Sequence, residues 1–159
     1  MAKNNTVICR YAKCKHNTKE LLKEEAVKIG AAYYHKDCAK IKEDVETVVM
    51  LFMNNVNPNT IVPQLRKVVN NIIFDKGIDS DFLVFALRYY IDNKYTLNYP
   101  GGLYYVIQNK TVLNAYASKI KKEQAIALQK ANVQHIEEPK EQFTYTPTRQ
   151  RSFTDILGK

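Results

Sequence analysis

Apolar residues recur at helical spacing along most of the chain. The first such stripe lies between Asp37 and Asn54, and five apolar residues form it: Ile41, Val45, Val48, Val49 and Phe52. This spacing predicts one long amphipathic helix. Several asparagines and a proline within 54–59 then predict a turn that ends the helix.

The next two apolar segments also predict helices. One would start with Asn59 or Thr60 as its N-cap and end near Gly77, because glycine readily adopts the left-handed conformation found after helix ends. The other covers residues 82–91, which are apolar nearly all round. We therefore expect the helix at 82–91 to be the most buried element of the protein.

Further helices complete the predicted body of the protein. Asp79 or Ser80 is the expected N-cap of the helix at 82–91. A short helix is expected at 103–108, and the last helix should begin near Val112 and end near Asn132. The fold class is therefore predicted to be mostly α.

One short stretch before the first long helix follows a different pattern. Val27 and Ile29 alternate with polar residues, Gly30 follows, and Tyr33 and Tyr34 close the stretch. Alternation interrupted by glycine is typical of two short strands joined by a tight turn. We therefore predict a β-hairpin at this position.

The residues that can bind a metal lie around this hairpin. All three cysteines and two of the three histidines fall within 9–38. Cys9 and Cys14 enclose a four-residue knuckle, whereas His35 and Cys38 are three residues apart and can share one face of a helix's first turn. Structural zinc takes four such ligands tetrahedrally. The spacing therefore predicts a Zn²⁺ site made by these four residues.

Two alternatives stay open for this cluster. His16 lies two residues after Cys14 and could replace one of the four ligands, or it could be a solvated loop histidine. The three cysteines could also be free thiols, whereas a disulfide would leave one of them unpaired. Since four protein ligands leave no open coordination position, we expect a metal here to hold the fold rather than to activate water.

The order of knuckle, hairpin and helix resembles a treble clef, and the two cysteines followed by His-x2-Cys resemble the first half of a LIM domain. The resemblance covers about the first quarter of the chain. The knuckle has four intervening residues where LIM domains have two, and no second ligand set follows. Treble clefs also occur in HNH-type nucleases, but the segment at 33–35 does not supply the paired-histidine motif of that family.

A second resemblance concerns the helical body. Residues 99–107 are similar to segments of helical phage replication proteins of the DnaD kind, and the Asn-, Lys-, Ile- and Tyr-rich composition resembles that of small bacteriophage accessory proteins. The resemblance implies phage replication as a context and assigns no residue a role.

The formal net charge of +8 favours partners rich in phosphate. Residues 1–36 are the most basic quarter of the chain, with eight Lys or Arg against three Glu. The candidate nucleic-acid-binding residues are Lys3, Arg10, Lys13, Lys15, Lys19 and Lys23. A solvated, lysine-rich face is the alternative interpretation. Paired tyrosines could stack on bases, but those within helices fit the core better.

The character of the sequence changes from about residue 135. The segment has little to bury, so we expect a flexible tail. Near its end Phe153, Ile156 and Leu157 are spaced i, i+3, i+4, which is typical of a peptide that docks in a partner's groove. Packing of this peptide on its own domain is the alternative.

These patterns predict three parts: a treble-clef-like zinc module with its long helix at 1–56, a helical bundle domain at 57–134 and the flexible tail at 135–159. Without a long apolar run or an N-terminal apolar region, the protein is expected in the cytoplasm, that of the bacterial host if phage-encoded.

The preferred function is a non-enzymatic accessory protein that binds nucleic acid during phage replication or transcription. The alternative is an adaptor or inhibitor that binds a host or phage protein complex through the helical body and the terminal peptide. Neither a catalytic constellation nor a small-molecule substrate is expected.

Overall fold

The computed structural model of the chain describes residues 5–133. Four short strands precede five α-helices in this range: β1 Thr6–Ile8, β2 Glu20–Leu22, β3 Val27–Ile29, β4 Ala32–Tyr34, α1 Lys36–Asn55, α2 Val62–Phe74, α3 Ser80–Asp92, α4 Leu103–Val106 and α5 Lys110–Val133. The mostly α fold is therefore confirmed. One compact unit ends at Lys122, and a second begins at Glu123.

The strands form two separate antiparallel hairpins. The β3–β4 hairpin is the predicted one, and Gly30 in its turn has a φ of 61°, in the left-handed region that glycine tolerates without a steric penalty. The β1–β2 hairpin pairs Thr6 with Leu22 and was not predicted. Its strands are three residues long and the whole knuckle separates them, so no turn signal marks the pairing.

Helix α1 agrees closely with the predicted long helix at both ends. Its N-cap residue is His35, which has extended backbone angles and makes no capping hydrogen bond through its side chain. Cys38 therefore lies in the first turn of α1, whereas His35 lies just before it.

The predicted N-cap of α2 at Asn59 or Thr60 is wrong, because the helix begins after Ile61. The residues before it are used in a turn of their own. The Asn57 side chain accepts a hydrogen bond from the Asn59 backbone N–H, and the Thr60 N–H donates to the Asn57 carbonyl. At the other end the prediction is confirmed: α2 ends at Phe74, and Gly77 has a φ of 67°.

Helix α3 is joined to α1 by polar contacts as well as by packing. Asp79 is its N-cap, as expected, and accepts from the Asp81 N–H at 3.1 Å. Ser80 is buried, and its hydroxyl donates to Asp44 Oδ2 of α1 at 2.5 Å. Lys40 of α1 is ion-paired with Asp81.

A cluster of sixteen buried apolar residues, which we name the helical core, connects all five helices. The residues lie on the inner faces: Val45, Val48, Val49, Phe52, Leu65, Val69, Ile72, Ile73, Phe82, Leu83, Ala86, Leu87, Leu103, Val106, Ile107 and Val112. A 3₁₀ turn at Pro100–Gly102 leads into α4, which is shorter than the predicted 103–108 helix.

A second and much smaller cluster lies around the hairpins. We name it the module core, and it consists of Cys9, Leu21, Tyr34, Cys38 and Ala39. Helix α1 supplies side chains to both clusters, the first turn to the module core and the rest to the helical core. Because one helix contributes to both clusters, the domain boundary expected at residue 56 stays a prediction. Among the described helices, none combines the length and apolarity needed to cross a bilayer.

Candidate metal centre

Backbone hydrogen bonds place the first candidate ligand between the two hairpins. Cys9 follows β1 directly, and its N–H donates to the Lys19 carbonyl at 2.7 Å. The next residue, Arg10, donates its N–H to the Tyr33 carbonyl of β4 at 3.0 Å. Cys9 is therefore held beside both hairpins and is 2% exposed.

The other three ligands come from the knuckle turn and from the junction of β4 with α1. The Cys14 N–H donates to the Tyr11 carbonyl at 3.2 Å, which closes the knuckle as a tight turn. The Ala39 N–H donates to the His35 carbonyl at 2.8 Å and starts the helix. These local bonds direct two segments far apart in sequence toward the same point.

The four side chains lie close enough together to share one metal ion. One ligand atom from each of Cys9, Cys14, His35 and Cys38 lies within 4.8 Å of all the others. His35 Nδ1 is 3.5 Å from the Cys14 sulfur and 4.0 Å from the Cys38 sulfur. Zinc bonds of about 2.3 Å to sulfur and about 2.0 Å to nitrogen would separate such atoms by roughly 3.6 Å in a tetrahedron. The residues therefore fit a four-coordinate ion.

The electrostatics of the cluster also suit a cation. Burial raises the pKa of Cys38 to about 12, and the neighbouring sulfurs of Cys14 and Cys9 add to the effect. At Cys9 burial also acts to raise the pKa, but backbone hydrogen bonds from Tyr11 and His35 and side-chain hydrogen bonds with Cys38 and Cys14 together outweigh it, so the pKa of Cys9 is lowered. Three thiolates this close repel one another, and a divalent cation would supply the missing positive charge.

The alternative ligand His16 lies beside the four residues. Its ring stacks on the ring of His35, with 3.9 Å between centroids and 23° between planes. Its Nε2 is 3.3 Å from Asp37 Oδ2 in the first turn of α1. In this arrangement the His16 ring packs against the ring of a candidate ligand, and His16 is not one of the four residues whose ligand atoms meet.

The candidate basic residues that the structure describes are all on the surface, in two places. Arg10, Lys13 and Lys15 are on or next to the knuckle, whereas Lys19 and Lys23 flank β2. Lys3 lies outside the described residues. The terminal-peptide residues Phe153, Ile156 and Leu157 also lie outside them.

The sequence alone does not reveal the contacts that the knuckle makes with α2. Lys13 Nζ and Lys15 Nζ lie 4.8 Å and 5.4 Å from the centre of the Phe74 ring. The Tyr11 and Phe74 rings are 6.1 Å apart. Phe74 belongs to α2, far along the chain, and its place at the end of an apolar stripe gives no sign of this contact.

A small cleft is lined in part by Tyr11. It has a volume of about 210 Å³, and Arg10, Lys42 and Arg66 are among its lining residues. Arg66 is ion-paired with Glu46 at 2.7 Å, so the cleft is only partly available to an external anion.

No protein-family model matches the chain, and no curated protein or solved structure matches it significantly. Function must therefore be inferred from the chain's own residues.

Proposed function

We propose that this chain is a non-enzymatic accessory protein in which a structural zinc ion shapes a basic module for nucleic-acid binding. The observation that carries the proposal is a set of exposed basic residues on the knuckle and beside β2: Arg10, Lys13, Lys15, Lys19 and Lys23. Among the described residues none of the five is ion-paired. Their positive charge is therefore available to phosphate.

The choice of zinc rests on the donor set. Three thiolates and one imidazole are soft ligands that favour zinc over calcium, magnesium or manganese, and a tetrahedral set favours it further. Four protein ligands would close the coordination sphere, which is the form of a structural site. We further propose that knuckle, β3–β4 hairpin and α1 form a treble-clef-like unit around the ion.

The context of phage replication or transcription comes only from the sequence resemblance and is part of the proposal on that basis. The alternative, an adaptor or inhibitor that binds a host protein complex, relies on the helical body and on the terminal peptide at Phe153, Ile156 and Leu157. That peptide lies outside the described residues, so no contact supports it over nucleic-acid binding.

Fluorescence anisotropy with the zinc-loaded full chain tests the proposal. Labelled single-stranded and duplex DNA are titrated at several salt concentrations between about 50 and 200 mM. We expect binding that weakens steeply with salt, because lysine contacts release counterions from phosphate. Absence of binding at low salt, or binding without salt dependence, would overturn it.

A charge-matched pair of variants distinguishes binding by the module from attraction by the net charge of the whole chain. Changing Lys13, Lys15 and Lys23 to Ala should weaken binding and lower the salt slope by about one unit for each phosphate that is no longer neutralised. The control removes the same charge from the helical body and should have a much smaller effect. It changes three exposed lysines to Ala: Lys67, Lys110 and Lys121. Equal effects of both variants would show that the module is not the binding surface.

A further inference from the structure

A cavity lies between the metal-binding knuckle and the helical body. It has a volume of about 360 Å³, and we name it the knuckle cavity. Residues of the segment 11–16 form one side, and the end of α2 with the loop leading to α3 forms the other. Its size is within the range of about 300–1,000 Å³ that is typical of small-ligand sites.

The interior combines an apolar floor with two cations. Ile73 and Ile78 line it together with the half-buried ring of Phe74. The ammonium groups of Lys13 and Lys15 both lie over that ring, at 4.8 Å and 5.4 Å from its centre. An aromatic face and two positive charges are therefore presented together.

The acidic groups of the cavity are already engaged. Asp37 pairs with His16 at 3.3 Å, and Asp79 accepts the Asp81 N–H as the N-cap of α3. Among the described residues, the two lysines of the cavity have no carboxylate partner. The lining holds as many aspartates as lysines, but the ammonium groups of Lys13 and Lys15 lie over the same ring without an ion pair, so an anionic group can bind on that side of the cavity.

From this arrangement we infer that the knuckle cavity holds one nucleotide of a single-stranded nucleic acid. Its phosphate would draw the exposed side chains of Lys13 and Lys15 off the Phe74 ring, and its base would take their place against that ring. The inference rests on the proposed nucleic-acid binding and adds a site and a strand preference to it. An unpaired base can stack on an aromatic ring, whereas a base inside a duplex has both faces covered by its neighbours.

The site also depends on the metal centre. Cys14 and Cys38 would hold the ion, and Cys38 lines the cavity together with Lys13 and Lys15 on either side of Cys14. Removal of the ion would loosen the knuckle and with it one wall of the cavity. Binding of single strands should therefore require the metal-loaded chain.

Anisotropy titrations with labelled oligothymidylate and with duplex DNA test the inference. Phe74→Leu should weaken oligothymidylate binding about tenfold, because leucine keeps most of the apolar volume but removes the stacking face. Duplex binding should change by less than about twofold. Phe74→Tyr keeps the ring and should preserve the affinity for oligothymidylate.

The chain offers a matched control for each change. Phe85 is another half-buried ring, with Lys119 Nζ 5.4 Å from its centre, and Phe85→Leu should leave oligothymidylate binding within about twofold. Lys23→Ala removes one charge from the same module outside the cavity, so it should cost less affinity than Lys13→Ala or Lys15→Ala. Thermal melting and metal content establish that each variant is folded.

The outcomes separate this inference from the proposed function. If binding depends on salt but Phe74→Leu and Phe85→Leu change the affinity for oligothymidylate equally, the cavity site is overturned and the proposed function is supported. No binding of either DNA would overturn both. If Phe74→Leu does not fold, ultraviolet cross-linking of oligothymidylate to the unmodified chain decides the question: cross-links at Phe74 or Tyr11 support the site, and cross-links only elsewhere overturn it.

Discussion

The module core and the helical core are held together by different means. The helical core contains fifteen buried apolar residues from five helices and Ile107, which follows α4, and side chains such as Phe52, Leu65 and Leu83 have no exposed surface at all. The module core has five residues, and two of these, Cys9 and Cys38, are candidate ligands. Apolar burial contributes about 25 cal/mol per Å², so five residues supply little of the stability that the module needs.

From this difference we expect a dependence on metal in the module and none in the helical body. Units too small to form a sufficient apolar core usually need a metal or disulfides, whereas the helical core needs neither. None of the three described cysteines is in a disulfide, and their sulfurs meet His35 in a group that could hold a metal ion, so a metal is the support that we expect for the module. Changes in the two regions should therefore have different consequences.

The largest expected effect is that of removing the metal. Cys38→Ala, or treatment of the unmodified chain with a chelator, should unfold the N-terminal module and leave the helices intact. Structural zinc contributes about 10–16 kcal/mol of apparent folding free energy in isolated finger peptides, far more than the module core can replace. Elemental analysis should give about one zinc per chain before the change, and nuclear magnetic resonance should show which amide signals disappear.

Retention of both the metal and the amide signals of residues 5–35 in Cys38→Ala would contradict this comparison. So would unfolding of the helices at the same chelator concentration as unfolding of the module.

The next largest effect concerns the helical core. Phe52 is completely buried, and Phe52→Ala should lower the free energy of unfolding by about 3–5 kcal/mol because it leaves a cavity. Urea unfolding followed by circular dichroism measures the decrease, and the metal content should not change. Met50 lies on the same helix but is 61% exposed, so Met50→Ala is the control and should cost less than about 0.5 kcal/mol.

A smaller and paired effect is expected at two glycines with left-handed backbones. Gly30 lies in the β3–β4 turn and Gly77 follows α2, and neither has an atom within 4 Å of the place an added Cβ would occupy. Alanine at either position should therefore cost only the backbone strain, about 1–2 kcal/mol.

The same backbone strain should change a different measured property in each of the two regions. Gly30→Ala should weaken metal binding about tenfold in a chelator competition, whereas Gly77→Ala should lower the urea midpoint of the helices. The reverse pattern would show that the two regions do not have separate sources of stability.

Much of this organisation could be predicted from local sequence patterns. Apolar spacing located α1, α2, α3 and α5, because a helix buries one face at regular intervals. The positions of Cys9, Cys14, His35 and Cys38 identified the residues that meet, since few residue types bind soft metals. The N-cap of α2 was misplaced, because the turn at Asn57 uses the candidate capping residues.

Contacts between distant segments could not be predicted in this way. The pairing of β1 with β2, the stacking of His16 on His35 and the approach of Lys13 and Lys15 to Phe74 each depend on how the knuckle lies against other elements. The local spacing of apolar and polar residues contains no information about contacts between distant segments. The knuckle cavity can therefore be identified only from the folded structure.

The uncapped start of α1 has a consequence for the metal centre. His35 occupies the N-cap position but makes no capping hydrogen bond, and its Nδ1 faces the sulfurs instead. The aligned peptide dipoles give a helix N-terminus about half a positive elementary charge. With zinc bound as proposed, three thiolates and one divalent cation leave a single net negative charge at this point, so the ion centre would add to the favourable charge that Asp37 supplies in the first turn of α1.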